Sequence, residues 1–218
     1  MSEKYPRTWH LPFSPGGTND DKRLINTDQF LNVIVSITEK MDGSNVCLER
    51  DNVYARSHGQ PPVHISFDML KSVHARVKHK IPKNWQVFGE WMFAKHSIKY
   101  NNLPHYLLLF AIRDIESGKW LKYDQVILFS RKIGVGIVPL LYVGSYKTAQ
   151  NLKRDIESWT EQESVYGTEC EGIVIRLARE YSDEEFPTSV AKWVRPDHVQ
   201  TDRHWKNQKL IKNELKSK

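Results

Sequence analysis

The chain has 218 residues, of which 39% are hydrophobic and 11% aromatic, enough to build one domain with a substantial core. This composition excludes a mostly disordered protein, and no apolar run reaches the roughly 18 residues of a membrane span. Lysine and arginine (32 residues) exceed aspartate and glutamate (26), and the resulting net charge of +6 favours a polyanionic partner without identifying it.

The first 28 residues differ in composition from the rest of the chain. They are rich in Pro, Gly, Asn and Asp, which favour turns and irregular backbone. Trp9, Leu11 and Phe13 give this stretch apolar side chains to bury. Residues 1–28, called the lead-in below, are therefore predicted to be irregular but packed on the domain that follows.

Three short strand patterns follow the lead-in. Residues 30–38 alternate and are rich in Val and Ile, and 46–49 and 53–57 continue the pattern. Asp42-Gly43 separates the first two as a turn signal. The sequence thus predicts a three-stranded meander, with Lys40 beside a turn between paired strands.

The rest of the chain mixes helices and strands without a regular alternation. Leu70, Val73 and Val77 recur at helical spacing after Ser66, a plausible helix cap. Further helices are predicted over 123–132 and 147–162, and buried strands over 85–93, 105–114, 171–178 and 189–195. These elements predict an α+β fold of antiparallel sheets with flanking helices.

The end of the chain is strongly basic. The stretch "HWKNQKLIKNELKSK" carries five lysines against Glu214 and predicts a basic helix or tail over 201–218, after a domain over 29–200. The two cysteines, Cys47 and Cys170, suggest neither a disulfide framework nor a zinc site. Since the amino terminus also lacks an apolar leader, we expect a soluble chain in a reducing, cytoplasmic compartment.

Lys40 opens the pattern Lys-x-Asp-Gly, which by itself arises by chance in roughly one chain of this length in twenty. Further elements that carry chemistry follow it in order on predicted strands. They are "YARS" with Arg56, "FGEW" with Glu90, "LLLFAIRD" with Phe110, "EGIVIR" with Glu171 and "AKWVR" with Lys192.

In type and order these elements resemble motifs I, Ia, III, IIIa, IV and V of the covalent nucleotidyltransferases, the superfamily of ATP-dependent DNA ligases, RNA ligases and mRNA capping enzymes. The resemblance spans about residues 32–195. It is strongest to small RNA ligases of the T4 RNA ligase 2 type, since Asn45 ends motif I where the other groups more often carry Arg. It implies an adenylation domain, and the short remainder after Arg195 leaves no room for an OB-fold.

The resemblance implies a role for each motif residue. Lys40 would become adenylylated, Glu171 would assist the metal, directly or through water, and the reaction centre, and Lys192 would bind the α-phosphate. The remaining residues would bind ATP or AMP: Glu39 through its backbone at the base, Phe110 by stacking on adenine, Glu90 at the ribose, Asn45 and Arg56 at ribose and phosphate, and Arg176 near the nucleotide.

Simpler structural roles stay open for some of these residues. Glu90, inside an apolar strand, could form a buried ion pair, and Phe110 could be core. Arg56 could lie on a solvated face. Motif V departs from the usual Lys-x-Lys, because Trp193 and Val194 separate Lys192 from Arg195. The second phosphate cation is therefore either Arg195 or Lys95.

The chemistry of lysine adds a constraint. At its ordinary pKa of about 10.4, deprotonating a lysine at pH 7 costs roughly 4.6 kcal/mol, and only the neutral amine attacks phosphorus. Lys192, Arg56 and a divalent metal are expected to lower the pKa of Lys40, whereas a bound triphosphate would raise it.

The motifs together predict an RNA ligase that uses ATP and Mg²⁺ or Mn²⁺. Lysyl-AMP and 5′-adenylylated RNA would be its intermediates, and its substrate RNA with 5′-phosphate and 3′-hydroxyl ends, for example a nicked duplex in RNA repair. The chain would act as a monomer, with the lead-in, the basic tail or a partner protein holding the RNA. The alternatives are a capping-type guanylyltransferase and a nucleic-acid-binding relative without catalysis.

Overall fold

The computed structural model describes residues 4–17, 21–56, 61–196 and 210–217. Its strands are Trp9–His10 (β1), Val35–Lys40 (β2), Ser44–Leu48 (β3), Val53–Ala55 (β4), Trp85–Trp91 (β5), Leu107–Asp114 (β6), Lys119–Trp120 (β7), Gly136–Ile137 (β8), Leu140–Gly144 (β9), Gly172–Leu177 (β10), Tyr181–Ser182 (β11) and Val190–Val194 (β12). Its α-helices are Asp68–Val77 (α1), Tyr123–Ile133 (α2), Ala149–Thr160 (α3) and Phe186–Ser189 (α4), with short 3-10 turns at Asp28–Phe30, Ile65–Phe67 and Lys78–Lys80.

The strands form two sheets. One has five strands in the order β1-β12-β10-β2-β9, and the other has seven, in the order β11-β7-β6-β5-β3-β4 with β8 beside β6. All pairs are antiparallel except β1 with β12 and β6 with β8. Helix α2 packs on β6, while α3 packs on β10 and α4 on β12. The predicted α+β fold of antiparallel sheets with flanking helices is confirmed, and neither sheet closes into a barrel.

The predicted meander is right in its second pair, β3 with β4, and wrong in its first. Strand β2 pairs with β10 and β9, whereas β3 pairs with β4 and β5 in the other sheet. Both edges of β2 are therefore occupied, and residues 41–43 carry the chain from one sheet to the other. Alternation along a strand shows which side chains are buried but not which strand lies at each edge, so the turn signal at Asp42 could not distinguish a hairpin from this crossing.

Asp42 fixes the crossing. Its carboxylate accepts hydrogen bonds from the backbone N–H groups of Ser97 (2.7 Å) and Ile98 (2.9 Å), and its own N–H donates to the hydroxyl of Tyr100 (3.0 Å). Buried backbone groups need partners, and Asp42 satisfies two of them while turning the chain. The Lys-x-Asp-Gly motif is thus joined to the segment that follows β5.

The predicted helices are present, with shifted ends. Helix α1 follows a 3-10 turn whose cap is His64, which accepts a hydrogen bond from the Ser66 N–H, so Ser66 lies inside the turn and does not cap it. The first predicted strand begins later than expected, because Asp28–Phe30 is a 3-10 turn and β2 starts at Val35. Asn32, at a left-handed φ of 57°, redirects the backbone between them.

The lead-in and the end of the chain both pack on the sheets where they are described. Within the lead-in, Leu11 is fully buried and β1 pairs with β12. Near the end, Lys212 bridges to Ala94 and Leu215 to Leu103, without helical structure over 210–217. The other residues of the predicted basic tail lie outside the described residues. None of the described helices could span a bilayer.

We predict that Gly43→Ala destabilises the fold. An added Cβ would lie 2.7 Å from the Met92 sulfur and 2.9 Å from the Trp91 carbonyl oxygen, closer than packed atoms allow. Overpacking of this kind costs about 1–3 kcal/mol, which urea unfolding would measure as a lower free energy of unfolding. Gly17→Ala is the matched control, because the atom nearest to its added Cβ is the end of the flexible Arg23 side chain, 3.3 Å away. Equal stability of the two variants would contradict the prediction.

Candidate active site

Three neighbouring strands place two lysines on one face of the five-stranded sheet. Lys40, the last residue of β2, lies opposite Gly172 of β10, and Lys192 of β12 lies opposite Val174 of the same strand. Residues directly opposite in antiparallel strands share a face, as do residues two apart in one strand. Lys40, Val174 and Lys192 therefore point to the same side of the sheet.

Lys40 forms an ion pair with Glu171. Its Nζ lies 2.5 Å from Oε1 of Glu171, the residue before β10. The Lys40 side chain is 30% exposed and remains accessible, while that of Glu171 is 5% exposed. The other carboxylate oxygen of Glu171, Oε2, is buried without a hydrogen-bond partner among the described residues. Glu171 thus holds Lys40 with one oxygen and presents a second that can take a ligand.

The seven-stranded sheet contributes Glu90 and Asn45 to the same site. They face each other across β5 and β3, and the Gly43 N–H donates to the Glu90 carboxylate. The Asn45 side-chain oxygen is a second buried acceptor without a partner in the described part of the chain. The charge of Glu90 acts on the pKa of Lys40, so the crossing at residues 41–43 brings groups from both sheets together.

The carboxylates around Lys40 keep it protonated. Burial acts to lower the pKa of Lys40, but Glu171, Glu90 and Asp42 outweigh burial and raise it. The expectation that neighbouring cations lower this pKa is therefore wrong for the protein without nucleotide or metal. Sequence reasoning counted Lys192 and Arg56 but could not place three carboxylates beside the amine.

The same carboxylates disturb one another. Burial raises the pKa of Glu90 to about 8, with further raising by Glu171 and Asp42 and a lowering by Lys40. Burial also raises the pKa of Glu171, against the lowering effect of Lys40. A divalent cation would relieve this repulsion, and the partnerless Oε2 of Glu171 is a suitable ligand atom. No three His, Cys, Asp or Glu side chains gather into a metal site in the described ranges. The residues therefore fit a Mg²⁺ or Mn²⁺ held by one carboxylate, water and substrate phosphates.

Lys192 is surrounded by other charges. Burial lowers its pKa, as do Lys40 and Arg56, while Asp21 and Glu171 raise it. Arg56 follows β4 and is exposed, at the edge of the described residues. Lys40, Lys192 and Arg56 thus form a group of cations able to interact with a polyphosphate.

Phe110 and Arg176 lie in an aromatic region between the sheets. Phe110 is the extra residue of a β-bulge, because Phe88 pairs with Ala111 while Gly89 pairs with Leu109. It is 9% exposed, and the ring of Tyr5 meets its ring edge-on with 5.0 Å between centroids. Arg176 is buried and hydrogen-bonds both the Tyr5 hydroxyl and Thr38 Oγ1, the latter at 2.9 Å.

Three expected site residues have other partners in this structure. The Glu39 carboxylate lies on the opposite face of β2 and accepts hydrogen bonds from Ser164 Oγ and the Val165 N–H, both at 2.8 Å. Arg195 is paired with Glu169. The backbone N–H of Lys95 donates to the Ile211 carbonyl, which places this residue beside the end of the chain. The site roles of all three stay predictions.

Sequence reasoning missed several residues that border the site. Asp21 lies beside Lys192, Tyr5 beside Phe110, and Tyr100 bonds the crossing at Asp42. Tyr5 and Asp21 belong to the lead-in, which has no recognisable motif and reaches the site only through pairing with a distant strand. The Lys-x-Asp-Gly motif did contain Asp42, and its carboxylate accepts hydrogen bonds from the backbone of the segment that follows β5.

We predict that Glu90 makes the stability of the metal-free protein fall with pH. Because its pKa in the fold, about 8, exceeds the ordinary 4.5, the folded state binds the extra proton between these values. The associated stability is fully present below pH 4.5 and is lost as pH rises through 8. Glu90→Gln stays neutral, so at pH 9 it should exceed wild type in free energy of unfolding by up to about 5 kcal/mol.

Urea unfolding at several pH values, with chelator and without nucleotide, measures this difference. Glu116→Gln, at an exposed turn, is the control and should follow the wild-type pH curve. Parallel curves for wild type and Glu90→Gln would contradict the prediction.

Comparisons with known proteins identify the family of this chain. The RNA ligase family model matches residues 33–194, most of the chain. No match is found among curated proteins. Among solved structures, a mutant of the Naegleria gruberi RNA ligase with ATP and Mn gives a TM-score of 0.55 at 16% identity, over 78% of this chain and 52% of that one.

Two further solved structures are similar. An archaeal ATP-dependent RNA ligase gives a TM-score of 0.56 at 14% identity, over 89% of this chain and 48% of that one. The Naegleria gruberi RNA ligase with PPi gives 0.57 at 16% identity, over 89% and 61%. This chain therefore spans about half the length of these solved chains. The family indicated by the motifs is confirmed by the match over 33–194: the chain belongs to the RNA ligase family.

Proposed function

We propose that this chain is an ATP-dependent RNA ligase that joins 5′-phosphate and 3′-hydroxyl ends through a lysyl-AMP intermediate. The observation that carries the proposal is the accessible Lys40 amine, 2.5 Å from the Glu171 carboxylate and on the same sheet face as Lys192. An amine nucleophile, a carboxylate that can take its proton and a cation for the phosphate are the groups that phosphoramidate formation requires.

The first step begins with a proton transfer. Lys40 is protonated at rest, and the raised pKa of Glu171 makes that carboxylate a better proton acceptor than an ordinary glutamate. The neutral Lys40 amine then attacks the α-phosphorus of ATP, a P–N bond forms, and the P–O bond to pyrophosphate breaks. Lys192 neutralises charge that develops on the α-phosphate oxygens.

The two later steps use the same groups. A 5′-phosphate oxygen of RNA attacks the lysyl-AMP phosphorus, the P–N bond breaks, and Lys40 recovers a proton. A 3′-hydroxyl then attacks the 5′-phosphorus of the RNA and displaces AMP. Both steps depend on alignment and charge neutralisation, which the fixed strand register of β2, β10 and β12 provides.

A divalent metal and the nucleotide have matching groups in the site. Glu171 Oε2 would hold Mg²⁺ or Mn²⁺, directly or through water, and the metal would neutralise phosphate charge. Glu90 and the partnerless oxygen of Asn45 would accept hydrogen bonds from ribose hydroxyls, while Phe110, displaced from the ladder by its bulge, would stack on adenine. Arg56 would bind phosphate from the exposed side.

RNA is the partner that this proposal requires, held mainly through phosphate contacts. The net charge of +6 and the exposed Arg56 favour such contacts, which would weaken as salt rises.

We predict that Lys40→Ala abolishes the covalent intermediate. Without the amine no P–N bond can form, so labelling by α-³²P-ATP should fall below about one thousandth of the wild-type level. Gel electrophoresis after incubation with α-³²P-ATP measures the amount of label bound covalently to the protein. Lys71→Ala, which removes an exposed lysine paired with Asp68 on α1, is the matched control and should label normally.

Sealing of a nicked RNA duplex by the wild type completes the test, with 5′-adenylylated RNA as a transient species. A covalent label from GTP and not from ATP would overturn the proposal in favour of guanylyl transfer. Equal absence of label in wild type and Lys40→Ala would favour a non-catalytic relative.

We predict unequal roles for the two motif V cations. Lys192→Ala should slow lysyl-AMP formation by about a hundredfold or more, because Lys192 shares the sheet face of Lys40. Arg195→Ala should slow it by less than about tenfold, because Glu169 already neutralises the guanidinium. Lys95→Ala tests the other candidate in the same rate assay. A larger loss for Arg195→Ala than for Lys192→Ala would contradict this ranking.

A further inference from the structure

The lead-in places a carboxylate beside the phosphate-binding lysine. Asp21 Oδ1 lies 3.8 Å from Lys192 Nζ, and Asp21 Oδ2 lies 3.6 Å from His10 Nε2. We propose that Asp21 is the counter-ion that Lys192 exchanges for the α-phosphate, so that the lead-in sets how tightly the site holds ATP. This inference rests on the proposed function and adds a residue from outside the recognised motifs.

Backbone pairing fixes the position of Asp21. The Leu11 N–H donates to the Lys192 carbonyl, and the His10 N–H donates to the Lys22 carbonyl, both at 2.8 Å. The Leu24 N–H donates to the His10 carbonyl, also at 2.8 Å. Strand β1 is therefore bound to β12 on one side and to residues 22–24 on the other. Asp21 stands at the start of the outer segment, held by the sheet itself.

A second set of contacts anchors the lead-in to the same strand. Ser14 Oγ accepts from the Val194 N–H at 2.9 Å and lies 2.9 Å from His10 Nδ1, and the Gly16 N–H donates to the Val194 carbonyl at 2.8 Å. The lead-in thus follows β12 from Lys192 to Val194. A displacement of Asp21 would have to break several of these bonds.

The charges explain why Lys192 needs a counter-ion. Without substrate, Lys192 is close enough to Lys40 and Arg56 for both to lower its pKa, while its side chain is only 19% exposed. Glu171 is engaged by Lys40 at 2.5 Å. Within the described ranges, Asp21 is the ion-pair partner of Lys192. Each of the two lysines therefore has its own carboxylate before substrate binds.

Phosphate binding must change this arrangement. A phosphate oxygen that approaches Lys192 meets the negative charge of Asp21, whose side chain is 23% exposed, and competes with it for the ammonium. The competition weakens the binding of ATP, whose α-phosphate is the group that Lys192 binds. Asp21 acts on phosphate through Lys192, and it is a positioning residue.

Asp21→Asn separates this role from a purely structural one. The amide keeps the shape and removes the charge, so the nucleotide-free protein should unfold at a lower temperature because Lys192 loses its counter-ion. At the same time the variant should bind α,β-methylene-ATP about three- to tenfold more tightly than wild type. Inorganic pyrophosphate, which lacks the α-phosphate, should bind both proteins equally. A structural defect would weaken binding, so the gain in affinity is diagnostic.

Isothermal titration of the full chain with each ligand in the presence of Mg²⁺, together with thermal unfolding, measures both effects. Asp28→Asn, an exposed aspartate of the same lead-in, should leave both unchanged, and Asp21→Glu should restore wild-type values. Unchanged or weaker binding of α,β-methylene-ATP by Asp21→Asn, with a wild type that forms lysyl-AMP, overturns this inference alone. A wild type that binds neither ligand overturns it together with the proposed function.

Discussion

The ion pair between Lys40 and Glu171 is the contact around which the site is arranged. A nearly buried carboxylate is costly unless it is paired, and Lys40 supplies the partner at 2.5 Å. This pairing requires β2 and β10 to be neighbours with Lys40 opposite Gly172, so a slip of one residue would turn Lys40 to the other face of the sheet. The crossing at residues 41–43 then leaves β2 immediately and enters the second sheet. A single interaction therefore links strand register, the junction of the sheets and the reactivity of the amine.

The balance of charges follows from that junction. The five-stranded sheet supplies Lys40 and Lys192, the second sheet supplies Glu90, and the crossing supplies Asp42. Three carboxylates raise the pKa of the Lys40 amine and keep it protonated in the protein without ligands. The raised pKa values of Glu90 and Glu171 have the same origin, since two acids share a buried space around one lysine.

Much of this could be predicted from the sequence, and the limits have physical causes. The order of Lys40, Glu90, Glu171 and Lys192 on apolar strands indicated the family, because each residue is unusual in its local setting. Helix periodicity gave α1, α2 and α3 to within a few residues. Strand partners were not predictable, since alternation describes the faces of a strand and not its edges. Because the partners of β2 could not be predicted, both the pairing of the first meander strand and the direction of the Lys40 pKa shift were predicted wrongly.

Arg195 departs from the usual motif V pattern but still contacts the residues that precede β10. In place of a second lysine on the face of Lys192, the chain has an arginine one residue beyond β12, where its guanidinium pairs with Glu169. Its backbone N–H donates to the carbonyl of Glu171 at 3.1 Å. The residue thereby holds both sides of the turn that presents Glu171 to Lys40. The end of β12 therefore supports the segment that carries Glu171, while Lys192 on the face of the same strand lies close enough to Lys40 to feel its charge.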